Sequence, residues 1–155
     1  MDMQRLDALI PPPIVAGAAV IGMWLAAPQG VRALAPPALR LGLALALAAA
    51  GAVFAGAGLG VFRRLRTTVN PHRPTKASAL ATGGVYRVTR NPMYLGLALV
   101  LAGFAAWLWW WPALAGPLAF GAYITRFQIR AEERALERVF GDEYRAYCRR
   151  VRRWL

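Results

Sequence analysis

One carboxylate stands out because its helical position is apolar. At about 100° per residue, a helix over 126–140 places Glu132 inside a hydrophobic stripe and Glu133 at the edge of that stripe. The stripe consists of Ile129, Leu136, Val139 and Phe140, and the opposite side carries Arg130, Arg134 and Arg138. A buried carboxylate without a partner is costly. We therefore expect Glu132 to be paired with a loop arginine, protonated, or bound to a ligand.

A second group of polar residues precedes a long apolar run. The basic loop 63–90 contains Pro71, Pro74, Gly83 and Gly84, which break any helical period, and it leads into the sequence RNPMY (90–94). A loop of this length is usually functional or disordered. If the run 91–125 forms a helical hairpin, RNPMY and the Glu132–Glu133 pair return to one membrane surface. Backbone donors, an aromatic ring and a carboxylate would then line one pocket.

Several common chemistries are excluded by residue counts. His72 and Cys148 are each the single residue of their type, so a His/Cys metal site is not expected, and neither is a disulfide framework. The chain contains no G-x-S-x-G nucleophile turn, no Walker motif and no G-x-G-x-x-G loop. We expect no metal.

Uncharged runs determine the elements that position these residues. Residues 9–27 and 41–62 are each long enough to cross a bilayer, with the first helix beginning near Pro11–Pro13. A signal peptide is the alternative for 9–27, although Asp2 and Asp7 disagree with a basic leader. The run 91–125 is too short for two full spans, so its second helix should continue into 126–140. Four tryptophans at 107–111 mark the turn as a membrane interface.

Small residues in 41–62 favour close helix packing. Glycine or alanine recurs every four residues, which lets helix backbones approach closely in lipid. The residues are Gly42, Ala46 and Ala50, followed by a GxxxG pair at Gly56 and Gly60. We predict that this helix is packed centrally, and the GxxxG pair makes an oligomer possible.

The charge distribution indicates which side each loop faces. Of 155 residues 58% are hydrophobic, yet the net charge is +12. Residues 63–90 carry seven basic and no acidic side chains, and 126–155 carry nine arginines against five acids. This positive-inside pattern places both segments in the cytoplasm, beside anionic lipids. For any one arginine, the alternative to a role at a site is that it only sets the membrane topology and contacts lipid headgroups. Nucleic acid is not an expected partner, because aromatic residues do not alternate with the basic ones.

The sequence therefore predicts an all-α integral membrane bundle of about four transmembrane helices, located in the inner (cytoplasmic) membrane. A cytoplasmic loop and C-terminal amphipathic helices complete it. Residues 1–155 form one domain, with two spans in 1–66 and a site-bearing half in 67–155. Gly141 should end one helix, and 142–154 should form a last helix lying at the interface. One face of that helix carries Tyr144, Tyr147, Cys148 and Val151.

The second half of the chain resembles a known family. Residues 67–96 (TTVNPHRPTKASALATGGVYRVTRNPMYLG) and 129–154 (IRAEERALERVFGDEYRAYCRRVRRW) are similar to the isoprenylcysteine carboxyl methyltransferases, which belong with the phospholipid methyltransferases. The ordered combination of G-x-Y, R-[HN]-P-x-Y, EE-x-x-L and FG-x-x-Y carries the resemblance. Residues 1–66 match only as generic helices.

The resemblance implies an S-adenosylmethionine-dependent methyltransferase whose lipophilic acceptor, such as a prenylcysteine carboxylate, enters from the bilayer. It implies a catalytic role for Glu132, which would also accept hydrogen bonds from the cofactor, with Arg130 as a candidate for the acceptor. Arg90 would hold the cofactor's carboxylate, and tyrosine rings would face its sulfonium or adenine. The implied cofactor-binding residues are Ser78, Leu80, Ala81, Tyr86, Arg90, Asn91, Pro92, Tyr94, Glu132 and Glu133.

Two departures from the family pattern concern the acceptor and the cofactor. The eukaryotic prenylcysteine enzymes have histidine where this chain has Asn91, and an acceptor-binding arginine where it has Gln128. Asparagine still offers a donor and an acceptor, whereas Arg126 or Arg130 would have to replace the missing arginine. Alternative functions are a phospholipid amine N-methyltransferase, an NADPH-dependent reductase of the sterol reductase type, and a non-enzymatic membrane scaffold.

Overall fold

Five α-helices make up most of the part of the protein that the structure describes. The computed structural model describes residues 10–28, 30, 35–65 and 79–155, and this part of the chain contains no β-strand. The helices are α1 (Pro12–Ala26), α2 (Pro37–Leu65), α3 (Pro92–Leu108), α4 (Ala115–Ile124) and α5 (Arg130–Arg150). Short 3-10 turns cover Gly84–Arg87 and Trp111–Leu114, and a π-helical segment covers Thr125–Ile129. The prediction of an all-helical fold is confirmed.

Proline marks the start of the first three helices. Pro12, Pro37 and Pro92 each occupy the first helical position, where the missing N–H costs nothing and the fixed φ suits the helix. Among the described helices, α2 is long and apolar enough to cross a membrane. The apolar helices α1 and α3 have 15 and 17 residues, below the roughly 20 that a full span needs. The prediction of about four spans is therefore confirmed for one helix only.

Helix α3 lies at the centre of the bundle, with α1 and α2 packed against it. Near the ends of α1 and α3, Trp24 and Trp107 stack with ring centroids 5.8 Å apart. Pro12, Phe62 and Pro92 line one cavity, so α1 and α3 begin at the bundle end where α2 finishes. We call this the site end.

The close approach of α2 to α3 depends on glycines other than the predicted ones. A Cβ atom on Gly51 would lie 2.5 Å from the carbonyl oxygen of Gly96, and one on Gly103 would lie 2.9 Å from that of Ala44. Gly58 faces Pro92 in the same way. Cβ atoms on Gly42, Gly56 and Gly60 would meet nothing within 4 Å. The predicted glycines are therefore the wrong ones. The contacts with α3 fall on another face of α2, which carries Ala44, Ala48, Gly51, Ala55 and Gly58.

The predicted hairpin over 91–125 is confirmed, and its second arm is longer than one helix. α3 ends at Leu108, the next residue Trp109 has a left-handed conformation (φ 54°), and a 3-10 turn leads into α4. The π-helical segment then joins α4 to α5 without a break. Gly141 (φ 49°, ψ −118°) is non-helical and divides α5 into two helical stretches, the second of which begins at Asp142. The prediction that a helix ends at Gly141 is therefore confirmed.

A second small core holds the C-terminal part of α5. Its buried members are Ala81, Tyr86, Tyr144, Tyr147 and Val151. The apolar face predicted for 142–154 is therefore real, but it packs on the loop around Tyr86 and not flat on an interface. Helix α5 also stops at Arg150, and residues 151–155 are non-helical.

We expect Gly51→Ala to destabilise the protein, whereas Gly56→Ala leaves it equally or more stable. The new methyl of Gly51→Ala forces the backbones of α2 and α3 apart, a type of overpacking that costs about 1–3 kcal/mol. Alanine at exposed Gly56 gains helix propensity of up to about 1 kcal/mol. Thermal unfolding of both variants in one detergent measures the difference, and equal melting temperatures would contradict the observed register.

Candidate functional site

A cavity of about 370 Å³ lies at the site end of the bundle. Every major element except α4 contributes to its wall: the start of α1, the end of α2, the loop 79–81, Tyr86, the start of α3, and α5. The volume is within the range of small-molecule sites. The wall is mostly apolar, and its few polar groups converge on one side.

Glu132 is the central polar group of this wall. The hydroxyl of Tyr94 donates to its Oε1 at 2.5 Å, and the Nε2 of Gln128 donates to the same oxygen at 3.0 Å. Gln128 and Glu132 are four residues apart and therefore share a helix face. Tyr94 comes from the first turn of α3, so these bonds also tie α3 to α5.

Burial raises the pKa of Glu132 above its usual value, and the neighbouring Glu133 adds to the effect. The hydrogen bonds from Tyr94 and Gln128 oppose the shift but do not cancel it. The protonated acid is thus favoured more strongly than in water. A carboxyl group of this kind accepts a proton more readily than an exposed one.

Glu133 connects two arginines from distant parts of the chain. Arg153 binds both of its oxygens, with Nε 2.9 Å from Oε1 and Nη2 2.7 Å from Oε2. Arg90 places Nη1 3.2 Å from Oε1. The side chains of Glu133 and Arg90 are only 18% and 14% exposed, so solvent screens their pair less than a surface pair.

The C-terminal tail is fixed onto the residues that precede α3. The backbone N–H of Arg90 donates to the carbonyl of Arg152 at 3.0 Å. The carbonyl of Arg153 accepts from Thr89 Oγ1 at 3.2 Å and from Asn91 Nδ2 at 2.9 Å. The tail and the start of α3 thus form one hydrogen-bonded unit beside the cavity.

Three tyrosines close the cavity on the side of the second core. The hydroxyl of Tyr147 donates to the carbonyl of Tyr86 at 2.8 Å, and Arg90 donates to the hydroxyl of Tyr144 and to the sulfur of Cys148. Burial raises the pKa of Tyr86, Tyr144 and Tyr147 well above the usual range. The three side chains therefore serve as neutral aromatic walls.

One polar atom at the cavity has no partner among the described residues. The Nε of Arg90 is buried and donates to none of their acceptors, although its Nη1 is well bonded. An unsatisfied buried donor is uncommon and often indicates a ligand or water position. No group of three or more potential metal-ligating side chains occurs in the described ranges.

Comparison with known proteins gives a family for the chain. The sequence model of the phospholipid methyltransferase family matches residues 39–143. The chain belongs to this family. It is also 49% identical over 63 residues to an uncharacterized protein of Haemophilus influenzae, in an alignment that covers 41% of this chain and 100% of that protein. No solved structure shows significant similarity.

Membership confirms the predicted resemblance. This family includes membrane methyltransferases of the isoprenylcysteine carboxyl methyltransferase type, and such enzymes generally use S-adenosylmethionine. The matched region contains α2, α3, α4 and most of α5. It therefore holds nearly the whole wall of the cavity.

Most of the family-implied residues meet at this cavity. The lining includes Leu80, Ala81, Tyr86, Arg90, Asn91, Pro92, Tyr94, Glu132 and Glu133. Ser78 lies outside the described residues. Arg130 is exposed and borders a separate groove with Arg126, so the structure does not bring it to the cavity. The functional roles of these residues stay predictions.

The sequence does not predict that four residues, Gln128, Tyr144, Tyr147 and Arg153, belong to the site. Gln128 stands out only as a departure from the family pattern, although its spacing from Glu132 predicts a shared face. The pattern places Tyr144 and Tyr147 on an interfacial helix, and Arg153 contributes only to the general positive charge. No local pattern indicates that the tail folds back by about 60 residues onto Arg90.

We expect the stability of the protein to depend on pH through Glu132. Because its folded-state pKa is raised, its contribution is fully present below the unfolded-state value of about 4.5 and is lost as the pH rises through the folded-state value. The melting temperature of wild type should therefore fall, relative to that of Glu132→Gln, as the pH rises above about 4.5. Scanning fluorimetry in detergent measures this.

Glu143→Gln is the matched control, because Glu143 is an exposed acid on the same helix. The difference in melting temperature between Glu143→Gln and wild type should stay small at every pH tested. A melting-temperature difference for Glu132→Gln that does not change with pH would contradict the raised pKa.

Proposed function

We propose that the protein transfers a methyl group from S-adenosylmethionine to a lipophilic acceptor such as a prenylcysteine carboxylate. The observation that carries this proposal is the family match over 39–143, together with the cavity that the matched segments enclose. The reaction would take place at the site end, on the cytoplasmic face according to the charge pattern.

The chemistry of the cavity fits this cofactor. Its amino-acid moiety has a carboxylate, and the buried Nε of Arg90 is a donor with no acceptor among the described residues. The cofactor also has hydroxyl and amino donors, for which Glu132 is the converging acceptor. Aromatic rings at Tyr86 and Tyr94 border the same space, and such rings attract cations.

When bound, the cofactor supplies a methyl group already activated on a positively charged sulfur. The chain then has to bind and align the acceptor, and to exclude water. Alignment alone lowers a barrier by about 7–11 kcal/mol in well-oriented systems. The fixed unit of tail, Asn91 and Glu133 keeps the polar wall rigid, while Pro12, Met93 and Leu97 supply apolar surface for a lipid chain.

A phospholipid amine is the second candidate acceptor, and Glu132 favours it. An amine has to lose a proton when it is methylated, and a general base with a raised pKa assists such a step. A carboxylate acceptor needs no base. The acceptor-binding arginine of the prenylcysteine enzymes is replaced here by Gln128, which donates to Glu132.

We expect purified protein to bind S-adenosylhomocysteine and Glu132→Gln to bind it about 10- to 100-fold more weakly. The variant loses a charged acceptor, which contributes about 1.5–3 kcal/mol per hydrogen bond. Isothermal titration calorimetry with wild type, Glu132→Gln and the control Glu143→Gln measures the effect. Undetectable binding to wild type at millimolar ligand would contradict the proposal, and selective binding of NADPH would favour a reductase.

Activity should appear as labelled methyl groups in a lipid product. Radiolabelled S-adenosylmethionine is incubated with the protein and either a farnesylated cysteine derivative or a total lipid extract. Base-labile label in the first reaction indicates a carboxylate acceptor, since methyl esters hydrolyse in base. Base-stable label in the phospholipid fraction indicates amine methylation. If the protein binds the cofactor but neither reaction yields a labelled lipid, both proposed acceptors, the prenylcysteine carboxylate and the phospholipid amine, are contradicted.

A further inference from the structure

A second concavity, of about 460 Å³, lies on the other face of the α4–α5 helix. On a helix, Arg126 and Arg130 are about 200° away from Gln128 and Glu132. The first pair borders this groove, and the second pair borders the cavity. The helix thus separates two sites with different polar groups.

One part of the groove is apolar and runs along α4. Its wall there consists of Ala98 from α3 together with Pro117, Leu118, Gly121 and Ala122 from α4. Gly121 forms an open part of the floor, because a Cβ atom at this position would meet only the ring of Trp154, at 4.0 Å. A hydrocarbon chain fits a surface of this composition.

The other part of the groove is basic and aromatic. Arg126 and Arg130 border it, and the exposed side chain of Arg130 extends from the first turn of α5. The indole Nε1 of Trp154 donates to Thr125 Oγ1 at 3.2 Å, which fixes the ring beside the arginines. The acids that follow in the sequence, Glu132 and Glu133, line the cavity on the opposite face. No acidic side chain is among the described residues that border this end of the groove.

We propose that this groove binds one anionic phospholipid. Arginine side chains recognise phosphate oxygens through charge-assisted hydrogen bonds. Trp154 adds an amphipathic ring, and tryptophan is enriched at the level of the lipid headgroups. The acyl chain lies along Pro117, Leu118 and Gly121. A soluble phosphate would use only the basic end, whereas the apolar length of the groove requires a lipid.

This lipid is a bound partner and not the methyl acceptor, because the α4–α5 helix lies between it and Glu132. The inference does not depend on the proposed methyl transfer. It also gives Arg126 and Arg130 a function that their position outside the cavity otherwise leaves open.

The first experiment compares two double variants of equal charge. Full-length protein in detergent is titrated with phosphatidylglycerol or phosphatidylcholine, and retained lipid is counted by native mass spectrometry. We expect one phosphatidylglycerol on wild type. Arg126→Gln with Arg130→Gln should weaken its binding by about 30-fold, as expected for two basic residues at a lipid surface. Arg138→Gln with Arg149→Gln, which removes two exposed arginines of α5 elsewhere, should leave it unchanged.

The second experiment fills the groove without changing charge. Gly121→Phe should abolish retention of phosphatidylglycerol, while Gly121→Ala, whose methyl only reaches van der Waals contact, should retain it. Glycerol phosphate, added in excess, should not displace the lipid from wild type. Displacement by glycerol phosphate, equal retention of phosphatidylcholine, or unchanged retention by both the Arg126/Arg130 double variant and Gly121→Phe would overturn the proposal.

Discussion

The carboxylate of Glu133 is the interaction on which the site end depends. It binds Arg153 through both oxygens and Arg90 through one, and thereby joins α5, the tail and the segment before α3. A poorly solvated ion pair adds little net stability, but removing one of its partners is strongly destabilising because the other charge is left buried without compensation. The three side chains are therefore best understood as one unit, and the polar wall of the cavity depends on that unit for its position.

The adjacent residues Glu132 and Glu133 therefore have different roles, because they have different partners. Glu133 is neutralised by two arginines, whereas the described donors to Glu132 are neutral, namely Tyr94 and Gln128. Burial without a cation raises the pKa of Glu132. A single turn of α5 thus supplies both a structural anchor and a carboxyl group suited to receive a ligand or a proton.

The helix that carries both glutamates also separates two environments. Its π-helical segment contains Gln128, which faces the cavity, and Arg126, which borders the groove. π-Helical segments inside longer helices frequently occur at functional sites. Here the segment lies where α4 leaves the apolar bundle and α5 begins its polar course, so the change of helix geometry coincides with the change of surroundings.

Much of this protein follows from its sequence alone. The uncharged runs and their prolines predict where α1 and α3 begin, because an apolar helix is a local property of composition. Helix α2 begins at Pro37, four residues before its uncharged run. The ordered motifs identify the family, and the apolar stripe by itself singles out Glu132. The packing register of α2 does not follow from the sequence, because glycines recur on several helix faces and only the crossing with α3 selects Gly51 and Gly58 over Gly56 and Gly60. The same holds for Glu133, whose two arginines come from distant positions, and for Arg130, which turns away from the cavity. Such pairings depend on how distant segments meet, and that is decided by the tertiary structure.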